Sequence, residues 1–322
     1  MPYNSLISRT DADALIPESV SRTIIQNVPE QSSVLRLARR LPNMTTKQRR
    51  MPVLSILPTA YFVDGDSGLK QTTEVNWANK YLNAEELACI VPIPEAVLDD
   101  ADYPIWSEVH PLIEEAIGVT IDAAILHGIN APSAWPTDIA TGAAGAGNSV
   151  DLSVIMATGD LYDALMGENG TIAKVEVDGF MVSGHIAAMT MRSKLRGLRA
   201  DDGGGSCTGH PLFVRSMQQK NVYELDGEPI IFPKNGAVDP TAVLQFSGDW
   251  NQLVYSIRQD VTYKILTEAV IQDSAGNIIY NLAQQDMVAL RVVMRLAWQL
   301  PNPINRLQET EADRYPFGIL VP

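Results

Sequence analysis

From Val288 to Leu300 the side chains change character at every step: Val288, Leu290, Val292, Met294, Leu296, Trp298 and Leu300 interleave with Ala289, Arg291, Val293, Arg295, Ala297 and Gln299. Successive side chains of a strand point to opposite faces, so alternation sustained over this length predicts a strand with one buried face. At about 3.3 Å per residue it would reach about 40 Å, well beyond the usual strand of about five or six residues. A strand that long needs a partner of similar reach. Leu253, Tyr255, Ile257, Val261, Tyr263 and Ile265 predict one, interrupted over Arg258 to Asp260. Ile105, Val109, Leu112, Ile113, Ala116, Ile117, Ile121, Ala124 and Ile125 follow i, i+3, i+4, i+7 spacing, which predicts a helix from Asp102 to Gly128. Asp102 is its candidate N-cap, Pro104 fits the first turn and Gly128 is a stop signal. Pro111 conflicts with that helix, because it removes a backbone hydrogen bond and must bend the axis or delay the start. At about 1.5 Å per residue the helix would be nearly 40 Å long. A long helix and long strands of matched length, separated in sequence by some 120 residues (about one domain's worth), describe a plate.

Around this plate lie segments that cannot form cores of their own. Residues 1–51 read as an extended arm, since Pro2, Pro17, Pro29 and Pro42, with Pro52 just beyond, forbid long helices or central strands. One short helix is expected between Pro29 and Leu41. From Gln31 to Val63 the chain carries Arg36, Arg39, Arg40, Lys47, Arg49 and Arg50 and no acid. That island reads as a solvated face or a docking strip for an acidic neighbour, with phosphate contact as the sharper alternative. Val53 to Tyr81 predicts a long hairpin about the turn-forming Asp64-Gly65-Asp66-Ser67-Gly68. Its limbs hold too few apolar residues to be stable alone.

Residues 129–150, rich in Gly, Ala, Pro and Ser with Asp138 the only charge, read as a linker into a second domain. There Leu152 to Met166 predicts a helix, Gly179 to Ser183 a short buried strand, His185 to Leu198 a second helix and Asp201 to Gly205 a loop. This half of the chain is α/β or α+β.

Composition narrows the functional classes. A chain of 322 residues, 46% of them hydrophobic, can bury a sizeable core, and its length suggests two domains. Its net charge of −14 repels nucleic acid as a whole, which argues against a dedicated DNA-binding protein. Cys89 and Cys207 stand far apart and in no metal-binding spacing, and both read as inert thiols. The start, Met1-Pro2-Tyr3-Asn4, lacks the basic and apolar regions of a signal peptide, and no apolar run approaches the length of a membrane span.

Candidate chemical motifs fail on their own terms. Gly65-Asp66-Ser67-Gly68 is the string around the nucleophile of chymotrypsin-like proteases, but those place their His before the serine, and here the first histidine is His110. Asp64, Asp66 and Gly68 imitate a calcium loop whose twelfth position is Val75 in place of a bidentate Glu, leaving at most a weak surface ion site. His110, His127, His185 and His210 show no metal-ligand spacing, and His127 at a helix C-terminus reads as a partner of the helix dipole. Gly203-Gly204-Gly205 is no phosphate loop. No catalytic, cofactor-binding or metal-ligating residue is assigned, and no cofactor is expected.

Several segments, in order, resemble the tailed-phage major capsid proteins of the Hong Kong ninety-seven fold. Asn83 through Glu95 (Asn-Ala-Glu-Glu-Leu-Ala-Cys-Ile-Val-Pro-Ile-Pro-Glu), followed by Val97-Leu98-Asp99-Asp100, is similar to the family's stretch between its extended loop and spine helix, with Pro94 where a serine is common. Asp178-Gly179-Phe180-Met181-Val182-Ser183 leading into Leu195-Arg196-Gly197-Leu198 resembles its axial-domain strand and helix. Leu225-Asp226-Gly227-Glu228-Pro229-Ile230 resembles its LxGxPV turn. Gly248-Asp249-Trp250 and Asn281-Leu282-Ala283-Gln284-Gln285-Asp286, each before a long strand, resemble its peripheral-domain return. The resemblance spans residues 30 to 305.

It implies an α+β fold with an N-terminal arm (1–51), an extended loop (52–84), a peripheral domain (85–130 and 243–303) and an axial domain (149–242 and 304–322). It also implies a structural subunit that is not an enzyme, assembling as pentamers and hexamers into an icosahedral head shell around double-stranded DNA. Arm and extended loop would clasp neighbouring copies, and the basic island would sit at subunit contacts or face the DNA through weak, non-specific contact. The further partners expected are a portal and a separate scaffolding protein, with assembly without a scaffold as the alternative and a decoration protein left open, and no membrane. The place of action would be the virion, after assembly in the host bacterial cytoplasm. An encapsulin-like bacterial compartment shell is the alternative. Some family members cross-link a lysine of the extended loop to a neighbour's asparagine with a glutamate as base. Lys70 could supply the amine, but Asp286 and Val293 fall where the asparagine and glutamate would be, so non-covalent contacts are expected unless Asn281 or Asn302 substitutes.

Overall fold

The structure, a computed structural model, describes residues 32–63, 68–100, 105–157, 160–198, 224–273 and 275–322. The N-terminal part of the arm, most of the hairpin tip, Asp102, Pro104, the loop at Asp201 to Gly205, Cys207 and His210 lie outside them. In chain order the first elements are α1 (Ser33–Leu37), β1 (Arg39–Arg40), β2 (Gln48–Ile56), β3 (Asn76–Asn83), β4 (Glu85–Pro94), α2 (Glu95–Asp100), α3 (Ile105–His127) and α4 (Ile139–Gly145). Next come β5 (Ser149–Asp151), α5 (Leu152–Ile155), α6 (Leu161–Met166), α7 (Thr171–Val177), β6 (Gly184–Ala187) and α8 (Met189–Gly197). The last are β7 (Glu224–Leu225), β8 (Glu228–Ile231), β9 (Gln245–Gly248), β10 (Val254–Leu266), β11 (Val270–Gln272), β12 (Ile278–Asn281), β13 (Met287–Gln299) and β14 (Phe317–Val321).

The alternating segment is β13, and it lies inside a sheet of order β1-β10-β13-β4. Its long partner β10 runs antiparallel to it, with the register slipping between Ile257 and Thr262, where the sequence pattern breaks. A slip of this kind is a β-bulge, which leaves residues unpaired and bends the strand. On β13, Leu290, Val292, Met294, Leu296 and Trp298 share one core with Ile113, Ile117, Ile121 and Ile125 of α3. The other face is also largely covered, contrary to the one-faced strand expected: Ala289, Val293 and Ala297 are buried. At the far end the reason is visible, because Met44 of the arm and Leu82 and Ala84 of the hairpin pack on Ala297, whose methyl group admits close cover.

The spine helix α3 keeps Pro111 inside it, and Gly128, at φ +68°, ends it as expected. The buried stripe is Ile113, Ile117, Ile121, Ala124, Ile125 and Leu126. Leu112, one helical step (about 100°) off that stripe, is 46% exposed, so it is no core residue.

A second sheet, of order β5-β14-β9-β6-β8-β7, carries α5 to α8 and includes the last strand of the chain. Several local expectations change here. The single helix over Leu152 to Met166 is two, because α5 stops at Met156 and Asp160 restarts α6 through a reciprocal cap with Asp163. Such a cap satisfies amide donors that a continuous helix would have paired internally. The strand expected over Gly179 to Ser183 lies at Gly184–Ala187 instead, since Gly179 turns the chain at φ +82°. His185 therefore sits in β6, opposite Ile230 and Ser247, and the helix begins only at Met189. The linker over 129–150 holds α4, capped by the Asp138 carboxylate on the Thr141 amide (2.9 Å), with Ile139 and Ala143 buried. Its small residues serve packing: a side chain at Gly142 would overlap the Tyr315 ring. Between β7 and β8, Asp226 and Gly227 both have positive φ, the signature of a tight type I′ hairpin turn.

Candidate assembly surfaces

Hairpin and arm project from this plate, and three local devices fix them to it. The first anchors the arm. Asp122 on α3 is completely buried beside Ile121, where it accepts from the Ser33 amide (2.8 Å), the Val34 amide (3.2 Å) and the Ser32 hydroxyl. Ser32 in turn caps α1 by accepting from the Leu35 amide (3.0 Å). Burial pushes the Asp122 carboxyl up to about 6, against the opposing pull of the bonds from Ser32, Ser33, Val34 and Asn235. Beyond α1 the chain becomes an edge strand: β1 runs parallel to β10, and the amides of Arg39, Leu41 and Met44 donate to the carbonyls of Leu253, Tyr255 and Ile257. The sequence expectation of a short arm helix was longer than α1, because β1 pairing takes over at Arg39. Asp122 went unassigned; its only signal was a lone acid within an apolar stripe.

The second device is the hairpin base. β2 and β3 pair antiparallel from Gln48↔Asn83 to Leu54↔Trp77, so regular pairing starts earlier than Val53. No strand occurs in the described residues between Ile56 and Asn76, where the limbs are joined by the Thr59 amide to Thr73 Oγ1 (2.9 Å) and the Tyr61 hydroxyl to the Gln71 carbonyl (2.9 Å). Asn83 Nδ2 donates to the Ala134 carbonyl (2.9 Å) and Gln299 Nε2 to the Tyr81 carbonyl (2.9 Å), which hold the base to the plate.

The third is a strap over residues 302–314, stapled from within by the buried Arg314. Its guanidinium donates to Asn302 Oδ1 (3.2 Å) and to the carbonyls of Asn302 (3.1 Å), Gln308 (2.8 Å) and Glu309 (3.0 Å). Outward, the strap reaches the hairpin by the Glu311–Lys80 ion pair, by Arg306 to the Pro58 carbonyl and by the Ile304 amide to the Leu54 carbonyl (3.4 Å). On its other side Asn305 Nδ2 donates to the Asp178 carbonyl (2.6 Å), and the Asp178 carboxylate accepts from Asn148 (2.7 Å) and the Tyr315 amide (3.0 Å). Hairpin orientation is thus tied to the second sheet.

All six cations of the basic island are exposed, and among the described residues only Lys47 pairs with a carboxylate, Glu85 at 3.7 Å. Arg40 reaches Asn43 Oδ1 (3.2 Å) and Arg49 the Pro42 carbonyl (3.2 Å).

Among the described residues the histidines carry no reactive arrangement. His185 Nδ1 lies 2.9 Å from Ser247 Oγ, and Nε2 lies 3.2 Å from the Leu225 carbonyl. The carbonyl can only accept, so Nε2 carries the proton and Nδ1 accepts from the hydroxyl. Both residues are fully buried, so no substrate can reach this Ser–His pair. Burial lowers the His185 pKa to about 4. His127 also differs from expectation: burial lowers its pKa, and Nε2 accepts from the Asp239 amide (3.3 Å), so it acts as a neutral acceptor and not as a cation on the helix dipole. His110 stacks on Tyr263 with ring centroids 4.5 Å apart. Among the described residues no group of His, Cys, Asp and Glu could hold a metal ion, and no helix is long and apolar enough to cross a membrane. Cys89 is half-buried on β4. Of the cross-linking positions, Lys70 is exposed, Asp286 lies in the turn before β13, Val293 is buried, and Asn302 is buried under Arg314.

Comparison with known proteins covers nearly the whole chain. Residues 12–305 match the Phage capsid family. The major capsid protein of Staphylococcus phage 80alpha is 26% identical over 315 residues, 96% of this chain and 86% of that one. A solved structure from Microbacterium phage Oxtober96 superposes with a TM-score of 0.82 at 34% identity, over 99% of this chain and 100% of that one. One from Mycobacterium phage Cain gives 0.80 at 31%, over 99% of each. The capsid of a native GTA particle, at 14% identity and a TM-score of 0.64 over 98% of each chain, shares the fold.

Proposed function

Because the chain belongs to the phage capsid family, we propose a division of labour for its parts within the head shell. The protein is a phage major capsid protein of the Hong Kong ninety-seven fold, part of the virion, and it assembles with copies of itself. The plate of α3, β10 and β13 with its sheet (85–130 and 243–303) would serve as the peripheral domain and tile the shell wall. The second sheet (149–242 and 304–322) would serve as the axial domain and surround the axes of pentamers and hexamers. β9 hydrogen-bonds within that second sheet, between β14 and β6, so in this proposal Gln245–Gly248 would go with the axial domain and the boundary expected at 242 would move to after Gly248.

The observation that carries this reading is the pair of extensions, arm and hairpin. Both are docked by specific bonds yet have no core of their own, so their remaining apolar surface can be covered only by other copies. The encapsulin-like alternative shares the architecture, but the relatives found are phage capsid proteins. A portal, assembly with a separate scaffolding protein or without one, with or without a decoration protein, a basic island at subunit contacts or in weak contact with DNA on the inner surface, and assembly in the host bacterial cytoplasm complete the proposal. The test is to express the chain and view the product by electron microscopy. Capsomers or closed icosahedral shells are expected; a stable monomer at micromolar concentration with a protease-resistant arm and hairpin would refute it. For the basic island, reversing Arg39, Arg40, Arg49 and Arg50 to Glu is expected to impair assembly or packaging, and normal yields of filled particles would refute that part.

A further inference from the structure

We propose that Asn235-Gly236 is a self-modifying site, at which the Gly236 nitrogen displaces ammonia from the Asn235 side chain and the carboxylate finally left there loosens the arm held by Asp122. The chain contains two Asn-Gly pairs, Asn169-Gly170 and Asn235-Gly236. Glycine obstructs attack on a preceding asparagine least, because it has no Cβ to crowd the closing ring. The two pairs are built differently. At the first, Asn169 is exposed, but the Gly170 amide donates to the Gly167 carbonyl (2.8 Å), and Gly170 is so enclosed that a Cβ there would meet the Leu165 carbonyl oxygen at 2.7 Å. Its nitrogen is committed to the turn that starts α7. At the second, in the loop after β8, the Gly236 amide meets no acceptor among the described residues. Gly236 has φ +77° and nothing within 4 Å of where a Cβ would stand, so there is room for a ring. Asn235 Oδ1 accepts from the Ala237 amide (3.1 Å), which folds the side chain back over the Gly236 backbone and draws electrons from Cγ, the atom to be attacked.

In the first step the Gly236 nitrogen bonds to Asn235 Cγ and gives up its hydrogen as a proton. The Cγ–Nδ2 bond breaks, and Nδ2 leaves with a proton in exchange, as ammonia. A cyclic imide remains. Water then opens it at one carbonyl or the other, giving aspartate or isoaspartate; both carry a new carboxylate, and no oxidant or cofactor is consumed. The consequence follows from what Asn235 touches. Its Nδ2 is buried and faces Asp122, though short of a well-aligned hydrogen bond. The product exchanges this weak donor for a second negative charge beside a buried carboxylate, and like charges at such a site disfavour the ionised pair. Asp122 is the acceptor for the Ser33 and Val34 amides and the Ser32 hydroxyl, so chemistry at residue 235 is read out at the arm. Isoaspartate also lengthens the backbone just before the buried Ala237 and Val238.

The inference stands apart from the shell reading, because its test needs only the folded full-length chain. Purified protein is aged at neutral pH, digested in acid and mapped by mass spectrometry that separates asparagine, aspartate and isoaspartate. In the folded chain Asn235 should convert at least fivefold faster than the more exposed Asn169, while in the denatured chain the two should run alike. Equal or faster loss of Asn169 in the folded chain, or an intact Asn235, overturns the proposal. So does a preference for Asn235 that persists in the denatured chain, since it would then belong to local sequence and not to the fold. Hydrogen exchange over Ser33–Leu37 should rise at least threefold as the wild type ages, and should be raised from the outset in Asn235→Asp, whose fold is checked by circular dichroism. Asn235→Gln keeps an amide but disfavours ring closure, so exchange over the same peptide should stay constant with age. Unchanged exchange in both the aged wild type and Asn235→Asp, or an equal drift in Asn235→Gln, overturns the link to the arm.

Discussion

Replacing Asp122 with alanine should release the arm while leaving the plate intact. The substitution strands the Ser33 and Val34 amides and the Ser32 hydroxyl. Three lost donor partnerships to a charged acceptor, each taken at the low end of about 1.5–3 kcal/mol because the arm can rehydrate them once open, give a gross loss of roughly 5 kcal/mol. Against this stands relief from burying a carboxylate whose pKa has risen from 3.8 to about 6, worth about 3 kcal/mol. The net is about 2 kcal/mol, a rise of roughly thirtyfold in the open population of the arm at neutral pH. Native-state hydrogen exchange followed by mass spectrometry reads it directly, with peptides over Ser33–Leu37 expected to exchange about thirtyfold faster and peptides over β13 unchanged. The pH dependence has a definite sign. A carboxyl whose pKa is higher in the docked state than when released favours docking fully below about pH 4, and that gain is lost as pH rises through about 6. Arm opening in the wild type should therefore increase from pH 4 to pH 7, after correction for intrinsic exchange, and the alanine variant should lack this trend. Unaltered exchange at α1, or equal acceleration in β13, would refute the account of Asp122 as a local latch.

His185 works in the opposite direction. Its folded pKa is lowered from 6.5 to about 4, so the stability of the second sheet should fall by about 3 kcal/mol as pH drops from 6.5 through 4, seen as faster exchange in β6 and β9; constant protection over that window would contradict it. Arg314→Ala leaves four buried or half-buried acceptors without their donor and should cost about 2–4 kcal/mol, freeing the hairpin base to exchange, whereas Glu311→Ala breaks one exposed ion pair and should cost under about 1 kcal/mol. Mature particles boiled in SDS and reductant should give one band at the 35.2 kDa of the single chain, since Asp286 is a poor acyl acceptor and buried Val293 takes no proton; a ladder that disappears in Lys70→Ala would overturn this.

Periodicity alone determined the plate. The alternation of β13, the interrupted partner β10 and the spacing of α3 are local properties, because strand and helix geometry dictate which positions share a face whatever else the chain does. Turn chemistry was equally local at Gly128 and at Asp226-Gly227. The order of short motifs, compared with known sequences, was enough to place the family. Tertiary structure decided the rest. Residues 129–150 look like a linker because small residues signal flexibility, yet α4 forms there, capped by Asp138 with Ile139 and Ala143 buried, and its glycine at position 142 answers to close packing against Tyr315. β13 is covered on both faces because Met44, Leu82 and Ala84, distant in sequence, reach Ala297. The devices that hold arm and hairpin, Asp122 beneath Ser33 and Arg314 within its strap, were illegible for the same reason. A charged residue is written alike whether it faces water or an array of amides or carbonyls, and only folding brings those partners within bonding distance.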